Sequence, residues 1–442
     1  METDGVLVIT RLLTQNAGNE ALSKELIHFL RANVRGQSVR ALDRYPRLFE
    51  QFTLKGLGAD PVVGFDALAD RLILRFGHVD SPQARVAAEA LVRLDTRGHE
   101  LSGLLRSLKR RIAWRRRLSG LGLIERAEPA TAVRACMNAS LVIWNPAGEI
   151  RPTPTSVDHV VRLLLLLRIA QKQGRRTAVI NHSLEVGDPR LRRLVAHVYS
   201  KADYVGLRDA KSIATAREFG IPSEKLIESP DLVFLAGKRA GVKEGKGVPP
   251  GAIALAINGL EAMTGTDEWD RLIDGLASFG RPVLFVSNAM NHDIPFSRSL
   301  AQRIPGAQVV DYQPGYQDLR AYYRPCSVLI SSRLHASVLA LAEGVPVVSI
   351  EPSVFKLTAI FQQMDYPIPT ERLPVSGWAG RVLSNVAACL SDEQGRLRQR
   401  GAAIMKDQIE RIEQAYAPLF RFAEVDRDFP ALRVVPMRSA NG

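Results

Sequence analysis

Residues 327–356 read SVLISSRLHASVLALAEGVPVVSIEPSVFK. Val328, Leu329 and Ile330 follow one another without polar alternation and are closed by Ser331 and Ser332. That pattern predicts a strand buried on both faces. From Leu334 to Glu343 apolar residues recur at helical spacing, Gly344 and Pro346 break the chain, and VVSI (347–350) gives a second buried strand. Strand, helix and strand of these lengths make a parallel βαβ unit. In such sheets ligands bind beyond the carboxyl ends of the strands, where a helix start offers N–H groups and positive dipole. Arg333, Leu334 and His335 fall at that step, and Lys356 stands just past the next strand. Arginine grips carboxylate or phosphate through two parallel hydrogen bonds, and histidine moves a proton near neutral pH. The segment predicts a site for a small anion; a structural ion pair for Arg333 and a capping role for His335 are the alternatives.

Outward from this unit the alternation repeats. GVLVITRL (5–12), LVIW (141–144), TAVIN (177–181) and YVGLR (204–208) read as strands, as do AIALAI (252–257), PVLFVS (282–287) and AQVVDY (307–312). Helical periods lie between them, near 157–172, 189–200, 210–219, 269–279, 295–303 and 316–323. GKRAGVKEGKGVPPG (237–251) has five glycines, two prolines and no apolar period, so it reads as a linker. The expected fold is α/β: two Rossmann-like domains around a cleft, GT-B-like, with a helical basic insertion in the N-terminal half. Residues 1–237 would form an acceptor domain with the insertion at about 45–134, and 238–250 the linker. Residues 251–430 would form the donor-binding domain, with a final helix near 393–416 packing back, and 431–442 a tail.

Composition narrows the function. A chain of 442 residues is too long for one ordinary core, and 46 % hydrophobic with 24 % charged residues excludes a disordered or collagen-like polymer. Cys136, Cys326 and Cys389 form no CxxC pair, and the eight histidines show no ligand spacing, so neither a disulfide framework nor a metal site is expected. METDGVLVIT is acidic and enters a strand at once, unlike a secretory signal, and VVRLLLLLRI (160–169) is cut by Arg162 and Arg168 and too short to span a bilayer. A cytoplasmic protein is expected. The net charge of +13 suits a phosphorylated substrate, an anionic membrane face or nucleic acid. LLRSLKRRIAWRRRLSGLGL (104–123) concentrates that charge. It reads either as an interfacial helix on an anionic leaflet, making the protein peripheral and able to float with anionic vesicles at low salt, or as a solvated basic face. Nucleic acid is not expected, because aromatics are 6 % and no recognition motif accompanies the patch.

The R-L-H-A of 333–336, the G-V-P-V of 344–347 and Lys356 together resemble the C-terminal half of the polysaccharide pyruvyl transferase family. GLRDAKS (206–212) is similar to that family's R-D-x-x-S turn, TQNAGNEAL (14–22) to its N-terminal glycine turn, and SPDLVF (229–234) to a P-D strand closing the first domain. The resemblance runs from about Val6 to Lys356, leaving out 44–134 and the tail. Asn19 replaces the usual Asp of the glycine turn, and NPAGEI (145–150) stands where a G-G-G segment is usual.

The resemblance implies transfer of pyruvate from phosphoenolpyruvate, the donor substrate, onto two hydroxyls of a saccharide acceptor, free or lipid-linked. The product would be a cyclic ketal on a cell-surface polysaccharide or its precursor, with release of phosphate and no cofactor. Arg333, Arg208 and the backbone at Leu334–His335 would then hold the donor, with His335, ahead of Lys356, as general acid. Asn16, Asn19, Glu20, Glu149 and His182 would serve the acceptor, although capping or surface roles suit these equally. Two other readings stand: a GT-B glycosyltransferase using a sugar nucleotide, and a non-catalytic binder of anionic glycan or lipid. Glu343 and Glu351 give the E-x7-E spacing of retaining glycosyltransferases, but Glu343 abuts Gly344 and Glu351 lies past the strand, the wrong register.

Overall fold

A computed structural model describes residues 5–11, 16–34, 36–43, 57, 59–77, 123–124, 129–148, 150, 157–239, 247–259, 266–289, 293–311, 315–352, 356–373 and 375–424. The first sheet has seven strands: β1 (Val6–Thr10), β2 (Val39–Asp43), β3 (Leu123–Ile124), β4 (Leu141–Trp144), β5 (Arg176–His182), β6 (Tyr204–Leu207) and β7 (Leu226–Glu228). Their spatial order is β3-β2-β1-β4-β5-β6-β7, all parallel. The second sheet holds β8 (Ile253–Ala256), β9 (Val283–Val286), β10 (Gln308–Val310), β11 (Val328–Ser331), β12 (Val347–Glu351) and β13 (Glu371–Arg372). It runs β10-β9-β8-β11-β12-β13, again all parallel.

The continuous apolar runs now have their cause. Every residue of β1, β4, β8, β9, β11 and β12 is buried, because helices cover both faces of each sheet. The helices are α1 (Ala17–Asn33), α2 (Pro61–Gly77), α3 (Pro129–Asn138), α4 (Val157–Lys172), α5 (Pro189–Tyr199) and α6 (Ala210–Glu218). Then follow α7 (Thr266–Ser278), α8 (Asp293–Ala301), α9 (Tyr316–Tyr323), α10 (Leu334–Ala342), α11 (Lys356–Gln363), α12 (Trp378–Leu390) and α13 (Arg396–Glu424). In each sheet the strand order reverses beside the first strand, at β1/β4 and at β8/β11, and a crevice opens at such a point. The two Rossmann-like halves turn these crevices toward each other across a cleft.

Helix α13 ties the halves together. Its Tyr416 packs edge-on against Phe29 of α1 and stacks at a tilt with Tyr204 of β6, whose hydroxyl donates to the Ala415 carbonyl at 3.0 Å. Each such aromatic pair adds about 0.5–1.5 kcal/mol beyond its burial. Helix α2, which the hydropathy pattern of 45–134 did not announce, is pinned to α4 and α5 by Asp66, which accepts from Arg168 at 2.7 Å and lies 3.1 Å from His197. SPDLVF is not a strand. Asp231 caps a 3-10 helix over Leu232–Lys238 by accepting from the Val233 N–H at 3.0 Å, a turn that the preceding proline favours. The three cysteines are buried and unbridged. Of the basic stretch, 104–122 lies outside the described residues. Among the described residues no helix is long and apolar enough to cross a membrane, and no cluster of His, Cys, Asp and Glu could hold a metal.

Candidate active site

His335 occupies the second position of α10, and its ring reaches across the cleft to the first turn of α1. The approach is so close that a Cβ on Gly18 would stand 2.1 Å from His335 Nδ1. Only glycine permits it, which gives the N-terminal glycine turn a physical reason. The other ring nitrogen, Nε2, lies 3.3 Å from Asp231 Oδ2, so it donates to that carboxylate. Asp231 Oδ2 also accepts from Arg208 Nη1 at 2.6 Å. Burial opposes ionisation of Asp231, but the neighbouring His335 and Arg208 hold its carboxyl far below the usual carboxylate range. The imidazole is thus fixed from both ends, by an acid of one half and a helix start of the same half.

Arg208 is itself buried. Besides Asp231 it reaches Ser183 Oγ at 3.4 Å, and its Nε has no partner. Its neighbour Asp209 is engaged elsewhere, capping α6 through the Ser212 N–H at 2.8 Å. Arg208 therefore orients and neutralises Asp231 rather than presenting a bare guanidinium to the cleft. Arg333 is the more accessible arginine, with its side chain 20 % exposed. One Nη pairs with Asp293, while Nε is buried without a partner. Beside it α10 begins without a side-chain cap, whereas α1, α5 and α6 are capped by Asn16, Asp188 and Asp209. The first N–H groups of α10, from Leu334 and His335 onward, make a ready anion cradle.

The remaining candidates are placed as follows. Lys356 opens α11 and lies near enough to His182 to help depress its pKa. His182 ends β5, but its ring does not face the cleft: it is fully buried, with Nε2 3.0 Å from the Tyr199 hydroxyl. Burial first, then Arg208, pushes its pKa down to about 3, so it is neutral and a poor base. Asn16 caps α1, accepting from the Gly18 and Asn19 N–H groups at 2.9 and 3.2 Å. Glu20 is buried and occupied at both oxygens, by Lys24 and by the Gly315 N–H at 3.0 Å. It joins the two halves instead of facing a sugar hydroxyl. Glu149 lies outside the described residues.

Glu343 and Glu351 are also engaged. Glu343 accepts from Arg320 Nε at 2.6 Å. Glu351 caps α11 by accepting from the Leu357 N–H at 2.7 Å and the Thr358 hydroxyl. Neither carboxylate is left to bind a ribose. Sequence reasoning missed Asp231 and Asp293 as partners of the basic groups; Asp231 immediately precedes a helical turn, the usual place for a capping acid, and Asp293 is the first residue of α8.

Solved structures with similar architecture include a protein assigned as a UDP-N-acetylglucosamine 2-epimerase from Listeria monocytogenes. It has TM-score 0.55 and 12 % identity over 97 % of this chain and 100 % of that one. Another is the Anabaena protein HepE in complex with UDP, with TM-score 0.52 and 12 % identity over 95 % of this chain and 99 % of that one. At such identity the likeness concerns the fold, the two-domain GT-B arrangement. No curated protein matches the sequence. The family model described as polysaccharide pyruvyl transferase matches residues 16–353, a span running from the cap of α1 through R-L-H-A to the end of β12. The chain belongs to the polysaccharide pyruvyl transferase family.

Proposed function

We propose that the protein transfers pyruvate from phosphoenolpyruvate to two hydroxyls of one sugar in a cell-surface polysaccharide or its precursor. The observation that carries this reading is the His335 imidazole, held between Asp231 and Gly18 beside Arg333 and the uncapped start of α10. The reaction needs a proton on the donor methylene, a shielded cation at C2 and a sink for phosphate. Protonated His335 gives its proton to the methylene carbon, turning CH2 into CH3 and leaving positive charge at C2. A first sugar hydroxyl adds to C2 and gives its proton to the now neutral His335. The phosphate then leaves with the C–O bonding pair, and the second hydroxyl adds to C2 and closes the ketal as its proton passes to the departing phosphate. The partly exposed Arg333 guanidinium and the N–H groups of α10 meet the departing phosphate, the kind of prearranged electrostatic help that usually supplies the largest catalytic term. Asp231 keeps the imidazole oriented throughout, with its own charge balanced by Arg208.

The direct test incubates the protein with phosphoenolpyruvate and a panel of p-nitrophenyl hexosides. Phosphate release with a product heavier by one pyruvate less one water supports the reading. The same protein should be stabilised by phosphoenolpyruvate, by about 2.7 kcal/mol at a hundredfold excess over the dissociation constant. Stabilisation by UDP and not by phosphoenolpyruvate would refute it.

A further inference from the structure

We infer that Asp293 is a positioning residue that ties the donor arginine to the contact between the two halves. This rests on the pyruvyl-transfer reading for the arginine's role. Asp293 opens α8 and is fully buried. Its Oδ1 accepts from Arg333 and from the Gly259 N–H at 3.3 Å. Its Oδ2 accepts from the Asn288 and Ala289 N–H groups at 3.2 and 3.0 Å. One carboxylate thus gathers the loops that follow β8, β9 and β11. A buried charge is tolerated only when so fully hydrogen-bonded.

The β9 loop it organises is the one that crosses the cleft. The Asn288 carbonyl accepts from the Ala17 N–H at 3.0 Å, and Ala289 forms an isolated antiparallel bridge with Asn16. Asn16 in turn fixes the Gly18 N–H, and Gly18 is the floor under His335. The contacts close a ring: Arg333, Asp293, the 288–289 loop, the start of α1, and His335, two residues from where the ring began. A ligand that draws on Arg333 therefore acts on the same carboxylate that sets the interface, and the interface sets the imidazole. Asp293 couples donor binding to closure.

Two variants cut the ring at different links. Asp293→Asn removes the charge, and Ala289→Pro removes one of the N–H groups that Asp293 accepts from without changing any site side chain chemically. Spin labels at Glu218→Cys and Ser299→Cys, both exposed and on opposite halves, report the interdomain distance. The native cysteines are buried, with thiols pushed up to about 12, and do not compete for the label. Each variant should broaden the distance distribution without substrate and lower kcat/KM for phosphoenolpyruvate by about tenfold. The double variant should fall no further than the worse single one. A wild-type distance distribution in either folded variant, or losses that multiply, would overturn the coupling. Should Asp293→Asn lose its circular dichroism, the distance and kcat/KM of Ala289→Pro decide alone. A wild-type protein that releases no phosphate would refute the function, and the substrate-free distances would still decide for or against Asp293.

Discussion

Gly18→Ala perturbs the site without removing any chemical group. The new Cβ would stand 2.1 Å from His335 Nδ1 and 2.7 Å from its Cβ and Cγ. Ordinary contact begins at 3.4 Å, so the ring or the helix must yield by about 1.3 Å. The helix start is held by the Ala17 N–H on the Asn288 carbonyl and by Glu20 on the Gly315 N–H. The imidazole therefore moves, and its bond to Asp231, already 3.3 Å long, breaks. Misplacing a catalytic group by about 1 Å costs roughly a hundredfold in rate, or about 2.7 kcal/mol of barrier. Overpacking costs the fold about 1–3 kcal/mol, less the gain of up to about 1 kcal/mol from replacing glycine in a helix. Gly380 is the control: in α12, with nothing within 4 Å of a built Cβ, its change to alanine should stabilise slightly and leave the rate alone. The assay is phosphate release from phosphoenolpyruvate at saturating acceptor, paired with urea unfolding. Wild-type kcat in a folded Gly18→Ala protein would refute the claim that this contact positions His335.

Two further outcomes follow from the buried partners of the site. His182 titrates near 3 when folded and near 6.5 when unfolded, so below pH 6.5 the unfolded chain takes up the proton first. Stability conferred by the neutral ring is complete above pH 6.5 and falls by up to about 1.4 kcal/mol per pH unit toward pH 4. His182→Gln should flatten that limb in urea titrations between pH 6 and 4, and a slope equal to wild type would show that the ring is not the titrating group. Arg208→Gln should cost up to about 3–5 kcal/mol of unfolding free energy, because it leaves Asp231 a buried charge with the His335 ring but no arginine beside it. The double variant with Asp231→Asn should recover much of that loss in denaturant melts. A single variant as stable as wild type would mean that the pair is not energetically coupled.

The elements that the sequence disclosed are those whose residues are buried on all sides. β4 and α4 fall at the residues that their apolar runs mark, LVIW at 141–144 and the helix at 157–172. The edge strand β10 was readable within AQVVDY, but β7 and β13 were missed, since they are short and partly exposed and two or three residues carry no readable period. The R-L-H step was legible because strand end, helix start and cations coincide within a few residues. Its acidic partners were not, because Asp231 stands 104 positions from His335 and Asp293 stands 40 from Arg333. Pairing across such separations is decided by how two sheets pack, which no local pattern records. His182 shows the opposite error. A strand-tip position was legible, but the direction of the ring depends on Tyr199, a residue of the following helix.

The buried acids also change how the site's charge is to be counted. From the sequence, Arg208 and Arg333 are two free cations for a doubly anionic donor. In the structure each already faces a buried carboxylate, Asp231 and Asp293, so each pair is neutral as a unit. Among the groups at the R-L-H step, the start of α10 supplies positive potential, and the proposed mechanism adds the proton that His335 must carry. On the pyruvyl-transfer reading, that proton is also the one the methylene must receive. Once it is transferred the site loses a unit of positive charge while C2 gains one, so the cation is formed in the same place that has just been emptied of charge. The neutral pairs do not oppose it. An arginine cluster without its acids would bind the donor more tightly and repel the cation at C2, lowering the ground state and raising the barrier together. On the pyruvyl-transfer reading, matching each arginine with a buried acid is the arrangement that favours turnover over tight binding.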